Sequence, residues 1–208
     1  MTSLATTATS ASPEPMTPDG TPHRIDFATF VRLGELGIYP TRSELVDGIV
    51  YDMSPKGDPH YFAQAELVEQ LVDARAGHYR AGTEPTLRID DENGPMPDVL
   101  VTPRDALVSA ASADLVVEVA DSSLAYDRTE KRARYARAGV REYWVVDLQH
   151  ELVERYRPAG ADAPAILRAG DELAPAAYPD VVIDLAAVFA AARAGRADSP
   201  NRSEPGTG

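Results

Sequence analysis

Apolar residues recur with two different periods along the chain, and the change from one to the other sketches the fold. In Asp26-Phe27-Ala28-Thr29-Phe30-Val31-Arg32-Leu33, Phe27, Phe30 and Val31 stand at helical spacing, which predicts a short helix. A turn at Gly37 to Pro40 follows. Glu44 to Met53 alternates around Asp47-Gly48, a two-residue hairpin signal. Asp58-Pro59 reads as an N-cap and a proline at the first helical position, opening a helix from His60 to about Ala76. Its Ala63, Leu67, Leu71 and Ala74 form one apolar face.

The period then shortens to that of strands at Glu84 to Ile89, Pro97 to Thr102 and Asp114 to Ala120, with residues 103–113 as a loop holding a helical turn. Asp127 to Ala138 is rich in helix formers and stops at Gly139. Glu142 to Asp147 and Leu152 to Tyr156 are β-branched and aromatic strands joined by a tight turn at Leu148 to Glu151. Val181 to Ala192 reads as a short strand running into a helix. A helix, meandering strands, another helix and a strand pair predict the α+β (mixed α/β) class, a central sheet flanked by helices.

Both ends differ in composition. Residues 1–22 are Thr, Ser, Ala and Pro without apolar periodicity, and residues 194–208 share that character. The expectation is a disordered N-terminal tail over 1–22, one folded domain over 23–193, and a disordered C-terminal tail over 194–208. A length of 208 residues with 44% apolar and 25% charged side chains suits one such domain.

Charge and cysteine usage narrow the chemistry. A net charge of -13 argues against a surface that clings to nucleic acid everywhere. No run of about 18 apolar residues spans a membrane and no cationic leader opens the sequence, so the expected compartment is the cytoplasm. Zero cysteines exclude disulfides, thiolate metal sites and a cysteine nucleophile, and the four histidines lack metal-ligand spacing.

The informative stretch runs from Pro97 to Asp147. Asp98 opens the strand PDVLV, Glu118 lies near the end of DLVVEV, Asp127 begins a helix, and Lys131 follows one turn later. If the two strands pair antiparallel, Asp98 and Glu118 meet at one edge of the sheet. A carboxylate among Val116, Val117 and Val119 is unfavourable unless paired, hydrogen-bonded or metal-bound. Two close carboxylates repel, so one takes a raised pKa or a divalent cation sits between them. Oxygen donors alone favour Mg²⁺ or Mn²⁺ over zinc. Only Lys56 and Lys131 of the twenty cations are lysines, the rest arginines, five of which (Arg128, Arg132, Arg134, Arg137, Arg141) gather around this helix.

Each residue also has an ordinary role open to it. Asp98 could be a turn acid, Asp127 and Lys131 an N-cap and a surface ion pair, and the arginines a solvated face. The four polar residues together, at converging positions, favour chemistry.

The run PDVLV followed by DLVVEVADSSLAYDRTEKRARYARAGVREYWVVD resembles the Uma2 family of bacterial restriction-endonuclease-like proteins, within the PD-(D/E)XK nuclease superfamily. SELVDGIVYDMSP and the following His60 resemble the N-terminal half of that family, and the likeness spans roughly residues 26–190. The resemblance implies a restriction-endonuclease-like core with a central mixed sheet. It implies that Asp98 and Glu118 bind Mg²⁺ (or Mn²⁺), that Lys131 positions or activates the attacking water, and that Asp127 supports Lys131 and caps its helix. The superfamily's usual lysine position, two residues after the acid, is Ala120 here, so the lysine has moved to the helix. Glu44 and His60 match family positions as second-tier candidates; a hairpin acid and a helix-start histidine are their structural alternatives. The implied function is metal-dependent endonucleolytic hydrolysis of DNA, with a homodimer expected by analogy. The alternative is a non-catalytic protein that holds nucleic acid or a partner on the arginine helix, its acids vestigial.

Overall fold

The structure, a computed structural model, describes residues 21–74 and 77–198. Helix α1 (Phe27–Glu35) opens at Asp26, whose side chain accepts from Thr29 N at 2.7 Å. Strands β1 (Ser43–Val46) and β2 (Ile49–Asp52) form an antiparallel hairpin. Its two turn residues, Asp47 and Gly48, have φ of 49° and 75°, the paired left-handed conformations of a tight hairpin turn. Helix α2 (Asp58–Ala74) follows, with Asp58 inside the first turn rather than ahead of it. The expected end at Ala76 lies outside the described residues.

Six strands form the main sheet in sequence order: β3 (Tyr79–Thr83), β4 (Val99–Pro103), β5 (Leu115–Ala120), β6 (Tyr143–Asp147), β7 (Leu152–Tyr156) and β8 (Ala165–Leu167). All neighbours are antiparallel except β5 and β6, which are parallel. A parallel pair needs a crossover. Here it consists of α3 (Leu124–Tyr126), a π-helical turn (Asp127–Lys131) and α4 (Arg132–Arg137), and it is followed by Gly139 at φ 81°. The final helix is α5 (Leu185–Asp198).

Strand alternation gives the sheet two apolar faces. Val117 and Val119 of β5 join Leu67 and Leu71 of α2 and Val188 and Phe189 of α5. Val116 and Ala120 face the other way, joining Leu100, Val145 and Tyr135 of α4. Glu118 alternates with the second set and so points toward the crossover helix.

Several expectations change. The strand expected over Glu84 to Ile89 is displaced to Tyr79–Thr83, because Glu84 takes a φ of 50° and Pro85 has no amide to donate. Ile183 makes only an isolated bridge to Leu173 before α5, so no strand forms there. The helix expected from Asp127 begins earlier, at Leu124. Strand β8 forms where no strand is expected. The C-terminal helix continues through Asp198, past the Arg193 boundary expected for the folded part. Of the tails expected over 1–22 and 194–208, residues 1–20 and 199–208 lie outside the described residues. Among those described, no helix is long and apolar enough to cross a membrane.

Gly195 shows why α5 extends. A Cβ there would lie 2.7 Å from the backbone of Asp58 and 2.8 Å from the Phe62 ring, so α5 touches the start of α2 through a bare backbone. Gly195→Ala is expected to lower stability by about 1–3 kcal/mol through this overlap, despite alanine's better helix propensity. Thermal unfolding checks the sign; an unchanged or raised Tm contradicts the packing.

Candidate active site and metal centre

The site lies where β4 begins and β5 ends. Val99 pairs with Val117, and continuing that antiparallel register one step sets Asp98 opposite Glu118. Both are buried, at 4% and 2% exposure. The expected convergence of the two carboxylates is thus a consequence of strand register alone.

Glu118 is enclosed by the crossover. Lys131 Nζ stands 3.1 Å from its Oε2, and the Tyr135 hydroxyl donates to its Oε1 at 2.8 Å. Lys131 also lies 3.6 Å from Glu44 Oε1 and 3.9 Å from Asp127 Oδ1. The i,i+4 pair with Asp127 is therefore the longest of its three contacts, and Lys131 serves the strand acid first. The π turn contributes to that aim: the Arg132 amide reaches Asp127 O, five residues back. Such turns are frequent at functional sites. Asp127 is not an N-cap, since the helix starts three residues ahead of it. Its carboxylate accepts from Ser123 Oγ at 2.5 Å, and Tyr143 OH donates to its carbonyl at 3.0 Å.

Glu44 comes from the hairpin. Its Oε1 accepts from Met96 N at 2.9 Å, which ties β1 to the segment just before β4. The two upstream candidates divide between the two acids, for His60 Nε2 is 2.9 Å from Asp98 Oδ2. The same oxygen accepts from Val119 N at 2.7 Å, and Gln64 donates to the Asp98 carbonyl at 2.7 Å. Lys56 pairs with the other oxygen of Asp98 and, at 2.8 Å, with Glu84. In the sequence the loop residue Lys56 stands out only as one of two lysines. Both lysines of the chain thus reach the same site.

The two carboxylates titrate in opposite directions. Burial would raise Asp98, but the His60 hydrogen bond and charge, with Lys56, outweigh it and hold the carboxyl at about 2. Glu118 is pushed well above the usual carboxylate range, by burial first and then by Asp98, Asp127 and Glu44, with Lys131 opposing. Burial likewise raises Asp127. For Lys131, burial is outweighed by Glu118, Glu44, Asp127 and Asp98, which keep the ammonium charged.

Four buried acids face two lysines, leaving a surplus of negative charge that suits a bound cation. Among the described residues, no three His, Asp or Glu side chains form a ready metal cage. The donor chemistry nevertheless fits Mg²⁺, which takes one or two protein carboxylates and completes its shell with water and phosphate. The arginines expected as a phosphate track are mostly engaged. Arg128 holds Glu154 and Asp147, Arg132 holds the Ala161 carbonyl and lies over the Tyr156 ring, and Arg134 holds Asp47.

Behind Glu118, Tyr135, Tyr143 and Tyr156 form a row of mutually tilted rings with centres 5.3 and 6.1 Å apart. Burial and nearby carboxylates raise all three phenols, Tyr156 to about 12. A phenol raised above its unfolded value near 10 contributes stability that is whole below pH 10 and lost as pH rises. Tm is expected to fall steeply between about pH 10 and 12, and Tyr143→Phe should flatten that fall. An equal slope in the variant contradicts the assignment.

The model of the Uma2 family, described as "Putative restriction endonuclease", matches residues 35–186. A crystal structure described as "a putative nuclease belonging to DUF820", from Anabaena variabilis, superposes with a TM-score of 0.60 at 16% identity, covering 77% of this chain and 98% of that one. The type IIG restriction endonuclease BpuSI gives a TM-score of 0.39 at 14% identity over 73% of this chain and 18% of that one. No curated protein matches. The Anabaena likeness shows a shared fold, and the family match, covering most of the folded part, shows that this chain belongs to the Uma2 family.

Proposed function

We propose that the protein is a metal-dependent endonuclease hydrolysing phosphodiester bonds of DNA, with Asp98 and Glu118 as ligands of Mg²⁺ or Mn²⁺. The observation that carries this reading is Lys131, held 3.1 Å from a fully enclosed Glu118 directly across the register from Asp98. When bound, the ion lowers the pKa of water and screens the charge of the phosphate.

The remaining work falls to the chain. Asp98 is kept ionised by its neighbours and is ready to bind a cation without first losing a proton. Lys131 stays charged, so it is no general base; it is a fixed cation that orients water and offsets charge developing on the phosphate. Glu44 and Asp127 hold Lys131 in place, and His60 does the same for Asp98. A non-catalytic binder on the arginine helix fits less well, because Arg128, Arg132 and Arg134 already have protein partners.

Calorimetric titration of Mn²⁺ into the wild type and an Asp98→Asn/Glu118→Gln double variant tests the ligands. Binding in the wild type that disappears in the double variant is expected; equal binding in both contradicts the assignment.

A further inference from the structure

The cavity above the carboxylates has a volume of about 610 Å³, the scale of a small-molecule site. Six acids line it, Glu44, Asp52, Asp98, Glu118, Asp121 and Asp127, against three cations, Arg42, Lys56 and Lys131. All three cations are committed to carboxylates: Arg42 and Lys56 to Glu84 at 3.3 and 2.8 Å, and Lys131 to Glu118. Duplex DNA is held chiefly by lysines and arginines free to meet its phosphates. Among the described residues lining this mouth, none is left over, and the acid surplus repels a backbone laid across it.

The mouth offers aromatic surface instead. Tyr51 and Tyr126 both line the cavity and are 50% and 38% exposed. Each stands beside a residue that holds Lys131: Tyr51 is the cross-strand partner of Glu44, and Tyr126 directly precedes Asp127. Arg134 Nη1 donates to the Tyr126 hydroxyl at 3.4 Å, tying that ring to the helix. One exposed tyrosine is ordinary. Two at the rim of one acidic cavity supply affinity of a kind that needs no positive charge, because a base stacks on a ring whatever its sequence.

We propose that the substrate enters as unpaired nucleotides of single-stranded DNA, with bases stacked on Tyr51 and Tyr126 and one phosphate brought to the cation that Asp98 and Glu118 would hold. This deepens the nuclease reading and rests on it. A base pair within an intact duplex cannot present its faces to these rings, so single strands and frayed ends are preferred over paired DNA.

The test is fluorescence anisotropy of the full chain with a labelled oligonucleotide of about 15 nucleotides, single-stranded and as its duplex, in buffer holding Ca²⁺. The single strand is expected to bind at least about tenfold tighter than the duplex, with weak salt dependence. Tyr51→Ala and Tyr126→Ala should each weaken it about tenfold, with Tyr51→Phe and Tyr126→Phe near wild type. Equal or tighter duplex binding, no single-strand binding, or unchanged affinity in both alanine variants overturns the proposal. Failure of the nuclease reading looks different: tyrosine-dependent binding of single strands persists while neither substrate is cut in Mg²⁺ or Mn²⁺.

Discussion

Lys131→Ala is expected to destabilise the protein by about 3–5 kcal/mol at pH 8, the range for breaking a buried ion pair from one side. For a domain of this size that is a fall in Tm on the order of 10 °C. Lys131 is 8% exposed and lies between Glu118, Glu44 and Asp127, so its loss leaves three buried carboxylates facing one another without a cation. The deficit depends on pH. Removing Lys131 raises the folded-state pKa of Glu118 further above its unfolded value. Such an acid adds stability that is whole below the unfolded pKa near 4.3 and lost as pH rises. The variant should therefore come closest to wild type near pH 5 and diverge toward pH 8. Thermal unfolding across that range checks it, and a deficit independent of pH contradicts the charge balance.

Glu118→Gln is expected to separate stability from chemistry. Its amide oxygen still accepts from Tyr135, and Lys131 keeps Glu44 and Asp127. The substitution removes one of four buried negative charges, the one whose pKa burial raises most strongly. Two effects compete: the lost pairing with Lys131 destabilises, and the lost repulsion and desolvation stabilise. With two acids left to balance Lys131, the second effect wins, because burial and the neighbouring acids already hold the carboxyl of Glu118 well above the usual range. Tm at pH 7 should equal or exceed that of wild type, while metal-dependent cleavage falls at least about 100-fold. A large drop in Tm would show that Glu118 is primarily a structural partner of Lys131.

How far the sequence could be read depended on whether a feature was local. The Asp47-Gly48 turn demanded its own backbone conformation, and the apolar runs Val99 to Val101 and Leu115 to Val117 located β4 and β5 well enough to set Asp98 against Glu118. Glu44 and His60 could be marked only through family likeness, since nothing local showed that one would hold Lys131 and the other Asp98. Lys56 lies in a loop without periodicity, and its tie to Asp98 arises only when α2 and β4 come together. Glu84 to Ile89 holds β-branched Thr86 and Ile89 beside Pro85, whereas the true strand, Tyr79 to Thr83, contains Ala81 and Gly82, which carry little strand signal. The end of α5 was hidden by small residues. Ala194, Gly195 and Ala197 look like tail composition, yet the missing side chain of Gly195 is what lets the helix lie against Asp58. The π turn left no trace that spacing could reveal.

The most direct test of the central claim is cleavage of labelled single-stranded and duplex DNA by the wild type and by Asp98→Asn and Glu118→Gln, with and without Mg²⁺ or Mn²⁺. The wild type should cut only with metal, and both variants, folded by thermal unfolding, should be slower by about 100-fold or more. Cutting by both variants at the wild-type rate, or no cutting by the wild type with either metal, would contradict the assignment of these two carboxylates as the centre of a metal-dependent nuclease.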